Sequence, residues 1–147
     1  MKVALLALQG DFAEHEAVFR ALGAETLQLR QKKDLEQHFD ALILPGGEST
    51  VQGKLLRELE MFEPLKEMIE QGMPVLATCA GVRDVPMSFI RAPQIEFCGS
   101  GCEVLAEHEG RITAVRQGNQ LAMTFHPELC DDHRVAQYFL SEIVGMN

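Results

Sequence analysis

The chain has 147 residues, 46% of them apolar and 24% charged, with a formal net charge of −9. That is ordinary usage for a single domain (residues 1–147) with room for a real core, and it makes nucleic acid and anionic membrane poor partners. No apolar run approaches the roughly 20 residues needed to span a bilayer, so no membrane association is expected.

The start, Met1 to Leu8, has one basic residue and a short apolar run, and Gln9-Gly10-Asp11 follows directly. It reads as a buried strand rather than an export signal. Strands are predicted near residues 3–8, 25–30, 41–44 and 74–78. A first helix is predicted from Asp11, with Glu14 three residues later in a capping-box pattern, to Gly23. A second follows residue 48, with Val51, Leu55, Leu56 and Leu59 as its apolar face. A third starts after Glu63, with Pro64 in its first turn, and stops at Gly72. Beyond residue 86 the pattern changes to short strand-like runs at 87–92, 103–106, 111–116 and 120–125. A final helix is predicted over about 132–144, with Val135, Phe139, Leu140 and Ile143 on one face. Alternating strands and helices predict an α/β fold, a largely parallel sheet with helices on both faces and antiparallel strands in the C-terminal half. In such sheets the ligand crevice lies at the carboxyl ends of the strands.

Three segments carry chemistry at those ends. In Pro74-Val75-Leu76-Ala77-Thr78-Cys79-Ala80-Gly81, an apolar run breaks at a cysteine flanked by small residues, the form of a nucleophile elbow. A packed core thiol is the plainer reading of Cys79 alone. In Phe125-His126-Pro127-Glu128, the proline biases His126 toward extended backbone, where residues two apart share a side. Glu128 would then hold one imidazole nitrogen and leave the other to take a thiol proton. In Leu42-Ile43-Leu44-Pro45-Gly46-Gly47-Glu48-Ser49-Thr50, a strand ends in glycines that let backbone N–H groups approach a ligand or an oxyanion. Neither GxxxxGK[ST] nor GxGxxG spacing is present.

The other cysteines are Cys98, Cys102 and Cys130. Reduced thiols are expected in an acidic chain without an export signal, as small semi-buried side chains in a Gly-rich turn. A zinc reading of Cys98, Cys102, Cys130 and His133 lacks tight Cys pairs, so no metal is expected.

Taken together, the motifs resemble the class I (triad) glutamine amidotransferases, which have a flavodoxin-like glutaminase fold. Within them the closer resemblance is to the glutaminase subunits of pyridoxal 5′-phosphate synthase. It rests on Ala7-Leu8-Gln9-Gly10-Asp11-Phe12, Leu44-Pro45-Gly46-Gly47-Glu48-Ser49-Thr50, Ala77-Thr78-Cys79-Ala80-Gly81, Phe89-Ile90-Arg91-Ala92-Pro93 and Phe125-His126-Pro127-Glu128-Leu129. The resemblance implies a Cys79-His126-Glu128 triad that hydrolyses L-glutamine to glutamate and ammonia. It implies glutamine binding by Gly46, Gly47 and Glu48 and by Ile90 and Arg91, and oxyanion donors at Gly47 and Ala80. It further implies delivery of ammonia to a synthase subunit in a hetero-oligomer that makes vitamin B6, glutaminase activity switched on by that subunit, no cofactor and a cytoplasmic location.

The resemblance has one gap. An elbow needs a helix after its nucleophile, whose N-terminus lowers the thiol pKa and offers free N–H groups. Here Ala80-Gly81-Val82-Arg83-Asp84-Val85-Pro86 is too short, and Pro86 would stop a helix. Roughly a quarter of the expected domain is absent, judged against typical domain sizes, with the junction near residues 81–85. Deleting the elbow helix would expose core, which argues for a segment left out of the sequence over one lost from the protein. The alternatives are a glutaminase serving another amidotransferase or, if the loss is real, an inactive synthase-binding module.

Overall fold

Apolar runs without polar alternation form the middle of one sheet. In Ala41–Leu44 all four residues are buried, as expected for a strand covered on both faces. The computed structural model describes residues 1–78, 95 and 98–146. Among them, β1 (Lys2–Leu6), β2 (Glu25–Leu29), β3 (Ala41–Leu44), β4 (Val75–Thr78), β5 (Glu103–His108), β6 (Arg111–Gln117) and β7 (Gln120–Met123) make one sheet in the order β2-β1-β3-β4-β7-β6-β5. β2, β1, β3, β4 and β7 run parallel; β6 and β5 complete the sheet antiparallel.

Side-chain alternation splits the core into two layers. Val3, Leu5, Ile43, Leu76, Leu121 and Met123 face α1 (Phe12–Ala21) and the C-terminal helical segment, meeting Val18, Phe19, Phe139, Leu140 and Ile143. Ala4, Leu6, Leu42, Leu44 and Val75 face α2 (Ser49–Glu58) and α3 (Phe62–Glu70), meeting Leu56, Met61 and Leu65. The expected α/β architecture, with helices on both faces and antiparallel strands late in the chain, is the one observed.

Local departures have physical causes. The Asp11–Glu14 capping box does not form. Asp11 is the N-cap of α1 but makes no side-chain cap bond, and its carboxylate lies 3.3 Å from His126 Nδ1 instead. On α2 it is Gln52 that is fully buried, while Val51 is 43% exposed. Gln52 Nε2 donates to the carbonyls of Gln9 and Pro45 at 3.2 and 3.0 Å, which an apolar side chain could not do. The last helix starts later than expected, as α4 (Arg134–Tyr138), and continues as a π-helical segment over Phe139–Val144. Cys98 and Cys102 are not free thiols but a disulfide, closed across the turn at Gly99–Cys102. Cys130 is free and exposed. The strand expected at 87–92 lies outside the described residues.

Phe139 is fully buried and meets Phe19 edge-on, with ring centroids 6.3 Å apart, clamping the C-terminal segment onto α1. Phe139→Ala is expected to lower the unfolding free energy by about 3–5 kcal/mol, measured by urea denaturation. A loss under about 1 kcal/mol would show that this clamp is not part of the cooperative core.

Candidate active site

The parallel registers bring three chain segments to one edge. Leu44 of β3 pairs with Ala77 of β4, and Thr78 of β4 pairs with Met123 of β7. Pro45-Gly46-Gly47 leaves β3, Thr78 closes β4, and Phe125-His126 follows β7. Cys79, Ala80, Ile90 and Arg91, expected as nucleophile, oxyanion donor and glutamine-binding residues, lie outside the described residues.

His126 and Glu128 meet as expected, though not along a strand. His126 has φ −109° and ψ 82°, and Pro127–Leu129 is a turn of 3₁₀ helix that swings Glu128 inward. His126 Nδ1 lies 2.8 Å from Glu128 Oε1 and 3.3 Å from Asp11 Oδ2. Two carboxylates on Nδ1 place its proton there and leave Nε2 as the basic nitrogen. Glu128 is only 7% exposed, and burial raises its pKa above the ordinary 4.5, against the hydrogen bond from His126.

Beneath Glu128 lies His15 of α1, 2% exposed. Its Nε2 is 3.3 Å from Glu128 Oε2 and 2.9 Å from Thr78 Oγ1. Despite the nearby carboxylate this is not an ion pair: burial, and then the charge of His126, lower the His15 pKa to about 4. Thr78 Oγ1 also accepts the N–H of Gly46 at 3.1 Å.

The Gly-Gly loop is held from the β1–α1 connection. Gly46 C=O accepts from Asp11 N–H at 3.2 Å, and Glu48 N–H donates to Gln9 Oε1 at 3.0 Å. A Cβ on Gly10, whose φ is +94°, would stand 1.9 Å from Gly46 O, so only glycine permits this approach. A Cβ on Gly47 would meet the Gln9 amide at 2.5 Å. The carboxylate of Glu48 caps α2 by accepting from Thr50 and Val51 N–H, and these bonds lower its pKa.

His15, Thr78, Gln9 and Gln52 were not singled out from sequence, and Asp11 was read only as a helix start. His15 carried one signal, a histidine sharing the apolar face of α1 with Val18 and Phe19. Asp11, His126 and Glu128 offer donor atoms within 4.8 Å of one another, and in this arrangement His126 Nδ1 is hydrogen-bonded to Glu128. Cys98 and Cys102 bond each other, which removes them from any zinc set. Among the described residues no helix is long and apolar enough to cross a membrane.

The buried histidine has a consequence for stability. The unfolded chain takes up a proton at His15 near the ordinary value of 6.5, while the folded chain resists until about 4. Stability is therefore lost as pH falls through that window, on the order of 3 kcal/mol. Glu128, with a raised folded value, works the other way, gaining stability as pH falls. Unfolding free energies at about pH 7 and pH 4.5 are expected to differ less in His15→Gln than in the parent chain. Equal differences would contradict a neutral, buried His15.

Residues 5–85 and 82–145 match the model of the SNO glutamine amidotransferase family. Pyridoxal 5′-phosphate synthase subunit PdxT of Desulfitobacterium hafniense (strain Y51) is 45% identical over 186 residues, covering 97% of this chain and 94% of the relative. The protein of the same name from Methanocorpusculum labreanum is 39% identical over 189 residues, covering both chains completely. These alignments are longer than the 147 residues here, so the relatives hold residues with no counterpart in this chain. A solved glutamine amidotransferase superimposes with a TM-score of 0.85 at 34% identity, over 98% of this chain and 99% of that one. A putative GMP synthase subunit from Thermoplasma acidophilum, 15% identical with a TM-score of 0.68, shares the fold, covering 99% of this chain and 92% of that one. The chain belongs to the SNO glutamine amidotransferase family.

Proposed function

We propose that this chain is the glutaminase subunit of a pyridoxal 5′-phosphate synthase, with Cys79, His126 and Glu128 as its catalytic triad. The observation that carries the reading is the short His126–Glu128 hydrogen bond at the end of β7, beside the end of β4 from which the chain continues to Cys79.

The chemistry follows from the residue types. His126 Nε2 takes the Cys79 thiol proton, and the thiolate attacks the side-chain amide carbon of glutamine. The carbonyl oxygen becomes an oxyanion, met by the N–H groups of Gly47 and Ala80. The C–N bond breaks as His126 returns the proton, releasing ammonia and leaving a thioester. A water deprotonated by His126 then cleaves the C–S bond, giving glutamate and the free thiol. Glu128 keeps His126 in the Nδ1–H tautomer and stabilises the imidazolium formed in each half. Gly46, Gly47, Glu48, Ile90 and Arg91 bind glutamine, and the guanidinium of Arg91 is chemically suited to a bidentate bond with the α-carboxylate. Ammonia passes to the synthase subunit.

A second reading has its own support. The two family matches meet at residues 82–85, where the elbow helix is missing from the sequence pattern. A chain truly shortened there would dock on the synthase without turning over glutamine. The two readings separate by mass: a purified protein of 16.4 kDa is the shortened module, and one several kDa heavier carries the extra segment.

Cys79→Ala is expected to abolish glutamine hydrolysis and labelling by a glutamine-mimicking electrophile while leaving the circular dichroism spectrum unchanged. Labelling that persists would move the nucleophile to another cysteine. The subunit alone is expected to be slow, with glutaminase activity rising at least tenfold on adding the synthase subunit, the size of effect that roughly 1.4 kcal/mol of coupling produces. Equal rates with and without it would refute switching by the partner.

A further inference from the structure

Glu128 has two carboxylate oxygens, and the triad employs one. Oε1 accepts from His126 Nδ1. Oε2 is buried and, among the described residues, has no partner at full hydrogen-bond geometry. The donor nitrogen that faces it is His15 Nε2, at 3.3 Å. An ionised oxygen buried without a donor is costly, so what stands against it decides whether Glu128 keeps its charge.

We propose that His15 is a positioning residue for the triad acid: its neutral Nε2–H, shared with Thr78 Oγ1, holds Glu128 Oε2 and so fixes the carboxylate that orients His126. The proposal rests on the triad reading above.

A neutral donor suits this place better than a cation. Lysine or arginine against Oε2 would satisfy the oxygen but draw off the negative charge that the His126 imidazolium needs. A neutral imidazole orients the carboxylate and leaves its charge intact. Burial keeps His15 in that neutral form. The ring is held in place by its position on α1, stacked 6.5 Å from Phe19 at an interplanar angle of 22°. Among the described residues, the titratable groups around Glu128 are Asp11 at the N-cap of α1, His15 from α1, His126 from its own segment, and Asp132 and His133 from the approach to α4. Of these, Asp11 opposes ionisation of Glu128 and His126 favours it. His15 is the one whose nitrogen faces Oε2.

The structure allows one rival arrangement. If Thr78 donates its hydroxyl proton to His15 Nε2, that nitrogen turns a lone pair toward Oε2. Glu128 would then have to be protonated to sit there, and His15 would act against the triad. The two cases predict opposite titrations.

The test uses the intact chain with ¹⁵N-labelled histidine and ¹³C-labelled glutamate carboxyl groups, followed by NMR from about pH 8 to pH 4. His15 is expected as the neutral Nε2–H tautomer. The Glu128 midpoint is expected to rise by about one unit in His15→Leu and by less in His15→Gln, whose amide still offers a donor. In the complex with the synthase subunit, His15→Leu is expected to lower kcat for glutamine about tenfold or more with KM within about twofold, and His15→Gln to recover part of it. An Nδ1–H tautomer, or a Glu128 midpoint that falls or stays put in both variants, overturns the proposal. If His15→Leu does not fold, the tautomer in the parent chain and the midpoint in His15→Gln decide. Failure of the triad itself reads differently: His126→Asn would then keep its glutaminase activity, whatever the Glu128 titration does.

Discussion

The carboxylate of Glu128 sits on a short turn, out of water, and the elements around it are arranged to keep it there. Burying a charge is tolerable only where each oxygen has a donor or a positive neighbour. His126 supplies one donor from two residues away, at 2.8 Å. The other side is closed by α1, which packs beneath the Pro127–Leu129 turn with His15 and Val18. The clamp between Phe19 and Phe139 then has a role beyond general stability: it keeps α1, and with it His15, at a fixed height under the carboxylate. Asp11 belongs to the same arrangement. As an N-cap it could satisfy its own helix, a contribution of about 0.5–2 kcal/mol. Its side chain makes no cap bond and approaches His126 instead, so local helix stability yields to the charge balance of the site.

Much of the sheet was legible because β1, β3, β4 and β7 are short, largely apolar runs closed by Gln9-Gly10, Pro45-Gly46, Cys79-Ala80-Gly81 and Thr124 to Pro127. The carboxyl ends of β3, β4 and β7 could be named from sequence for that reason, and with them the Gly46–Gly47 loop and the His126–Glu128 pair. Local rules failed where a distant polar partner outweighed them. The capping box at Asp11 lost to a contact with a residue more than a hundred positions away. The apolar face of α2 was misassigned around Gln52, because a buried amide bridging Gln9 and Pro45 resembles surface polarity when read without its partners. His15 and Thr78 stand 63 residues apart, and no spacing rule links them. The Cys98–Cys102 bond was missed for a different reason. Arguments from compartment concern whether thiols stay reduced, not whether a tight turn brings two sulfurs together. The His126–Glu128 contact was anticipated, but from extended geometry where the chain makes a 3₁₀ turn; the proline served both conformations.

The two halves of the site are not independent. Thr78 Oγ1 accepts Gly46 N–H from the loop after β3 and meets His15 Nε2 beneath Glu128. One hydroxyl therefore touches both the Gly46–Gly47 loop and the histidine that faces Glu128. The far side of the Gly46 residue is tied as well, by Asp11 N–H on its carbonyl, and Asp11 also approaches His126. Turning the Gly46–Gly47 peptide over would break the Asp11 hydrogen bond, a net cost of about 0.5–1.5 kcal/mol. That is small beside the interaction energy of even a modest protein interface, so a docked partner could hold the loop in either orientation. The cost of such a turn would not stay in the loop. Through Asp11, and through the neighbouring Gly46 N–H on Thr78, it would reach His126 and His15, the two groups that flank Glu128.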